Sequence, residues 1–360
     1  MSLDELAVST PGRMCLFGEH QDYFGLAVIA AAVSLRLAIS GRPRPDRLLR
    51  LDLPDIQSAE EIDLDQPILY TRSRDYLKSA VNVLRRRGVE VRSGWDCVVH
   101  GDVPINAGAA SSSALCVAWV KFLLEAAGDP RAADRDAVAE LAYETEVAEF
   151  REPGGRMDHY SSARGHVVSI HFGDPFRLRN LPNPLGAFVL ADSREKKDTT
   201  GTLGFIKGRV LEAAANVRRT VSGFDLRSPR TPEVERAADS LASADEKRLL
   251  KGTLLTRDLT AEGEALFDAS VFDHESFGRL LSSQHEVLRD FLRTSTDKIE
   301  RMLAAAMTAG ALGGKINGSG HGGTMFAYAP RDPEKVARAV EAVGAAVHVV
   351  RTDEGVRRDR

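Results

Sequence analysis

Cysteine is scarce in this chain: three residues, Cys15, Cys97 and Cys116, in 360. They are odd in number, widely spaced and set among apolar neighbours. No disulfide framework follows from them, and no CxxC or His/Cys cluster suggests structural zinc; reduced, buried thiols in the cytoplasm are the expectation. Long apolar runs are also missing. No stretch approaches the roughly 18 residues of a membrane span, and the opening MSLDELAVS has no basic n-region or apolar core, so no signal peptide is expected. Neither sign of charge dominates. A net charge of −4 gives no basic field for nucleic acid or anionic lipid. No internal repeat is found. What is present is ordinary globular composition, 43% hydrophobic and 28% charged, in a length that allows about two domains with a full core.

The chain is organised around residues 101–118, GDVPINAGAASSSALCVA. Before it, Trp95, Cys97 and Val99 alternate with Asp96, Val98 and His100, which predicts a strand. After Ala114 an apolar helix's length runs to Gly128. A strand, a small-residue turn and a buried helix bring backbone N–H groups and three hydroxyls to a helix N-terminus, an arrangement suited to phosphate. An ordinary serine-capped helix is the competing reading.

Two further glycine-bounded polar stretches stand out. In PGRMCLFGEHQDYFG, residues 11–25, Arg13, Glu19, His20, Asp22 and Tyr23 lie among Met14, Leu16 and Phe17, the mixture a ligand-binding loop between strands needs. Near the other end, LGGKINGSGHGGTMFAYA, residues 312–329, is a glycine-rich loop entering a strand. It is not a Walker loop, because Ala309 and Ile316 stand where that motif needs glycine and Ser/Thr. Between these segments lies EPGGRMDHYSS, residues 152–162, with Asp158, preceded by a helix carrying Glu144, Glu146 and Glu149. On residue pattern alone those glutamates read as a solvated helix face. Pro182 to Gly186 marks a lobe boundary, the second half is more helical, and the basic tail VRRDR reads as frayed.

Taken together these segments resemble the GHMP kinases, from Pro11 to Tyr328, and within them most closely the galactokinases. PGRMCLFGEHQDY is similar to the galactokinase motif PGRVNLIGEHTDY, and VPINAGAASSSAL to a motif with a G-L-S-S-S-A core. GGRMDHYSS resembles C-G-I-M-D-Q-F, INGSGHGGTMF resembles M-T-G-G-G-F-G-G-C, and QHEVLRD resembles S-H-x-S-L-R-D.

The resemblance implies an α+β, two-lobed kinase. An N-terminal lobe like ribosomal protein S5 domain 2 would span residues 1–184, and a ferredoxin-like C-terminal lobe residues 185–360. ATP would lie on Gly108, Ala109, Ala110, Ser111, Ser112, Ser113 and Ala114, with Mg²⁺ held by Ser112 or Ser113 and by Glu146. Asp158, twelve residues after Glu146, matches the family's catalytic aspartate, and Arg13 the basic residue that pairs with it. Whether the aspartate is a true base or an electrostatic guide is open at this stage. Glu19, His20, Asp22 and Gly155 would bind the sugar, and Phe205 aligns with a sugar-contacting tyrosine.

A mevalonate-type kinase would be expected to carry lysine at position 13 and to lack the Asp22-Tyr23 pair. A catalytically silent sugar sensor would have lost the serine loop or the Arg–Asp pair. Both alternatives therefore stand behind an ATP-dependent sugar 1-kinase with galactose as first candidate and a uronic acid next. Departures at Gln21, Arg156 and His321 bear on which sugar. Arg156, two residues before Asp158, would either pair with a substrate carboxylate or be a surface charge, and the surface is favoured.

Overall fold

The computed structural model describes residues 5–105, 107–196 and 198–360; Met1 to Asp4, Lys197 and Asn106, the last within the serine-loop motif, lie outside the described residues. The first half builds one sheet from β1 (Leu6–Phe17), β2 (Val28–Arg44), β3 (Leu48–Leu53) and β4 (Ser58–Asp63), followed by helix α1 (Tyr76–Arg86) and strand β5 (Gly94–Gly101). Helices α2 (Ser111–Ala127), α3 (Arg135–Tyr143) and α4 (Met157–Arg164) come next, then β6 (Val167–His171) and β7 (Arg177–Asn180). The strand order is β1-β2-β5-β3-β4, with β6 pairing β2 and β7 pairing β6.

Local sequence explains these elements. In β5 the alternation of Trp95, Cys97 and Val99 buries one face. Helix α1 turns Leu77, Ala80, Val81 and Leu84 inward. Helix α2 is apolar nearly all round and, Leu115 apart, buried from Ser113 to Leu124, and Gly128 ends it in a left-handed conformation (φ 66°).

The second half opens with β8 (Phe188–Asp192) and a run of helices: α5 (Thr199–Arg218), α6 (Pro232–Asp239), α7 (Ala244–Asp268), α8 (His274–Val287) and α9 (Asp297–Ala309). Strands β9 (Gly313–Ile316) and β10 (Thr324–Tyr328), helix α10 (Pro333–Glu341) and β11 (Ala346–Val350) complete it. The antiparallel order β11-β8-β10-β9 is that of a ferredoxin-like sheet with α5 to α8 inserted. The two sheets are linked through residues 181–187.

Two features differ from the sequence reading. Residues 11–17 are not loop but the second half of β1, because β1 is buried on both faces: Val8 and Cys15 join the core under α2, whereas Met14, Leu16 and Phe17 join a core shared with Phe188, Phe277, Phe326 and Tyr328. Burial on both sides erases the alternation by which a strand is recognised. The tail is not frayed either. After β11 the chain returns to the first sheet, where β12 (Arg357–Arg358) pairs with β1, Val356 is buried and Arg358 pairs with Glu125. Residues 351–360 thus belong with the first sheet rather than the second.

Gly165 is the point where this return closes. Its φ is +81°, and a Cβ there would stand 1.9 Å from the Gly355 backbone nitrogen. Gly165→Ala is expected to cost more than about 2 kcal/mol, read as a lower urea midpoint at unchanged slope. A loss under about 0.5 kcal/mol, the scale of an ordinary surface change, would show that the tail is not held there.

Candidate active site

One cleft gathers the three glycine-bounded stretches. Arg13 enters it from a β-bulge, where the β1–β2 register shifts between Pro11 and Arg13; such bulges re-aim a side chain next to active sites. Its Nε and Nη2 donate to the two carboxylate oxygens of Asp158, each at 2.7 Å, and its Nη1 donates to the Gly108 carbonyl at 2.6 Å. Burial opposes the charge on Arg13, yet the facing Asp158 carboxylate outweighs it and leaves the guanidinium more basic than usual. Asp158 sits in the first turn of α4, 27% exposed and turned to the cleft.

The serine loop meets this pair. Ala110 takes a left-handed conformation (φ 60°) as the residue before α2, and no side chain caps the helix among the described residues. The serine-capped alternative is thereby removed, and the N-terminus of α2 faces the cleft with Ser111, Ser112 and Ser113. Gly108 and Ala110 line the same wall. Ala109 and Ala114 do not. Both are fully buried; the Ala109 carbonyl accepts from the Arg13 backbone N–H, and the Ala114 N–H closes the first turn on the Ala110 carbonyl.

Glu146 reaches the cleft by a local irregularity. Residues Glu144–Ala148 form a π-helical turn that buries Glu146, while Glu144 and Glu149 pair outside with Arg87 and Arg86. The solvated-face reading therefore holds for two of the three. His159 Nε2 lies 2.7 Å from the Glu146 carboxylate. Burial would raise the pKa of Glu146, but hydrogen bonds from His159, Ser112 and Ser113 outweigh it and hold the carboxyl below its ordinary range. One carboxylate with two hydroxyls beside it is a donor set that fits Mg²⁺, which keeps waters and takes its remaining oxygens from substrate phosphates. Among the described residues no cluster of three or more His, Cys, Asp or Glu forms an all-protein metal cage.

The loop after β1 supplies the other wall. Glu19 and His20 are buried, Asp22 is half-buried, and all three line the cleft with Gly155. Gly155 is required there, since a Cβ would stand 2.1 Å from Asp22 Oδ2. His20 Nδ1 lies 2.8 Å from the Tyr23 hydroxyl, and burial lowers the imidazole to about 4, so it is neutral at pH 7. Burial, reinforced by the Asp158 charge, pushes Asp22 up to about 6.

Other sequence candidates lie elsewhere. Phe205 is half exposed on α5 and does not line the cleft; Thr199 and Leu203, earlier on that helix, do. Gln21 turns away, donating to the Thr253 carbonyl of α7 at 3.1 Å. Arg156 pairs with Glu140 at 3.1 Å and lies over the Tyr143 ring, a surface position. His321 is exposed. Sequence reasoning missed Arg74, Tyr76 and Glu152 at the mouth, where Arg74 donates to Glu152 and to Thr200 of α5. Arg74 and Tyr76 lie outside every glycine-bounded stretch, so nothing in the sequence pattern marked them.

Family models for the GHMP kinases N-terminal domain and C-terminal domain match residues 75–166 and 264–346, and a galactokinase galactose-binding signature matches residues 2–43. The chain belongs to the GHMP kinases. Among GHMP kinases it is 28% identical over 352 residues to a galactokinase of Actinobacillus succinogenes, covering 94% of this chain and 88% of that one. It is also 28% identical over 362 residues to a mevalonate kinase of Thermococcus onnurineus, covering 97% of each. The fold superposes on a Lactococcus lactis galactokinase complexed with galactose at a TM-score of 0.83 and 20% identity, over 99% of this chain and 95% of that one. As a GHMP kinase the chain is an ATP-dependent phosphotransferase with an alcohol acceptor. Among the described residues no helix is long and apolar enough to cross a membrane.

Asp22 sets a pH test. Its carboxylate accepts from the Met157 and Tyr23 backbone N–H groups, and the ionised form keeps lone pairs for a further donor in the cleft. With its folded pKa near 6, the carboxylate is present above that pH and lost as pH falls through it. The value of kcat/KM should fall along an acid limb near pH 6, and Asp22→Asn should lower the plateau and abolish the limb. A limb unchanged in the variant would assign it to another group.

Proposed function

We propose that this GHMP kinase transfers the γ-phosphoryl group of ATP to the anomeric hydroxyl of a free monosaccharide, with galactose as the first candidate. The observation that carries the reading is the Arg13–Asp158 pair, set between the serine loop and the pocket of Glu19, His20 and Asp22. Phosphoryl transfer asks a protein mainly to hold the groups in line and to neutralise spreading charge. The N-terminus of α2 and its serines lie where the phosphates are held. Asp158 takes the proton of the acceptor hydroxyl, whose oxygen bonds to the γ-phosphorus as the bridging bond to ADP breaks. Arg13 keeps Asp158 ionised and orients both of its oxygens. Mg²⁺, held by Glu146 with Ser112 or Ser113, would supply charge neutralisation on the phosphates.

Arginine rather than lysine at position 13, together with the Asp22-Tyr23 pair, speaks against a mevalonate-type acceptor. An intact serine loop and Arg–Asp pair speak against a silent sensor. With Arg156 paired to Glu140 on the surface, its guanidinium does not meet a substrate carboxylate, which favours galactose over a uronic acid.

Asp158→Asn keeps shape and removes charge, so kcat should fall by at least about 10²-fold while ATP binding by calorimetry is nearly unchanged. Activity within about tenfold of the parent would exclude Asp158 from the proton transfer. ADP release measured across hexoses, pentoses, uronic acids and mevalonate tests the substrate. The highest kcat/KM is expected for galactose, with ³¹P NMR showing an anomeric phosphate. Turnover of mevalonate alone would overturn the sugar reading, and a preference for galacturonate would overturn galactose.

A further inference from the structure

Lys315 is a fully buried lysine on β9 that the chemistry above does not use. Its ammonium has three protons, and three oxygens take them: the Cys15 carbonyl at 2.9 Å, the Ile316 carbonyl at 3.2 Å and Glu19 Oε1. The ion pair spans the seam between the two sheets, since Glu19 follows β1 and Lys315 lies on β9. Both side chains are at most 1% exposed. Glu19 Oε2, by contrast, has no hydrogen-bond partner among the described residues, although Glu19 lines the cleft.

A buried carboxylate oxygen without a donor is costly, and it becomes favourable once a ligand supplies one. The charge of Glu19 is already balanced by Lys315, so a cationic ligand group would bring a surplus charge. A carboxylate would bring no proton and a repulsion. A neutral hydroxyl meets the requirement.

We propose that Lys315 is a positioning residue for the acceptor: by occupying Glu19 Oε1 it presents Oε2 to a second hydroxyl of the sugar, distinct from the one that Asp158 deprotonates. This rests on the sugar-kinase reading and deepens it, because it makes acceptor selectivity depend on how the second sheet seats against the first. The subsite takes a hydroxyl that donates, not merely an oxygen-sized group.

The test uses the full chain, the sugar it turns over, and the monodeoxy and deoxyfluoro analogues of that sugar at each position. Fluorine fills the space of a hydroxyl but cannot donate. In the parent, one position should lose roughly 10- to 100-fold in kcat/KM for both analogues, mostly through KM. Glu19→Gln should shrink that discrimination and so identify the position. Lys315→Met should shrink the same discrimination, with KM raised and kcat little changed, and Lys315→Arg should restore most of it. Combining Lys315→Met with Glu19→Gln should add nothing further, because both act through one oxygen. The double variant carries no unpaired buried charge, so it and Lys315→Arg decide the matter if Lys315→Met does not fold. Parent-like discrimination in folded Lys315→Met, a double variant that discriminates less than Glu19→Gln alone, or a Lys315→Arg variant that has lost the discrimination would each overturn the proposal alone. A panel in which no sugar is phosphorylated would overturn the sugar-kinase reading and this proposal with it.

Discussion

The cleft depends on one buried guanidinium. Arg13 spends three N–H groups on fixed partners, two on Asp158 and one on the Gly108 carbonyl, while its own backbone N–H is tied to Ala109. The distance between the Asp158 carboxylate and the serine loop is thereby set by one rigid planar group. A lysine could not make that fork, since an ammonium is a point charge on a flexible stem. The pair also accounts for its own persistence: removing one partner of a buried ion pair strands the other, at a cost of roughly 3–5 kcal/mol.

The second sheet is tied to the same point. Asn317, at the end of β9, donates to the Gly108 carbonyl at 2.9 Å and accepts from the Cys15 backbone N–H at 3.0 Å. Gly108 thus receives donors from both halves of the chain. Beneath these polar ties lies an apolar seam in which the Phe17 and Phe277 rings meet edge to face and Phe188 packs against Phe326 and Tyr328. A large apolar interface of this kind keeps two lobes in fixed relation. Small residues permit the close approach: a Cβ on Gly263 would stand 2.6 Å from the Phe17 ring.

The three glutamates after α3 show how far a motif reads and where it stops. Their order and their spacing to Asp158 were legible in the chain, and motif position singled out Glu146. Helical periodicity could not have done so, because it has no provision for a π turn, which moves one carboxylate inward between two that stay on the surface. His159, which holds Glu146 from the next helix, follows Asp158 directly in sequence, yet its contact is set by how α4 packs beside α3.

Local stretches determined what local chemistry can determine. The serine loop before an apolar helix, the alternation of β5 and the glycine that ends α2 are all written within a few residues. Backbone stereochemistry and the supply of hydrogen-bond donors act over that range. Position in space was decided by tertiary structure. Phe205 aligned with a sugar-contacting residue but faces outward from α5, Gln21 turned to α7, and the tail that read as frayed closed the edge of β1. Lys315 and Glu19 lie 296 residues apart. Neither residue type announces a partner, and only the folding of β9 against the end of β1 removes both from water and makes each the other's counter-charge.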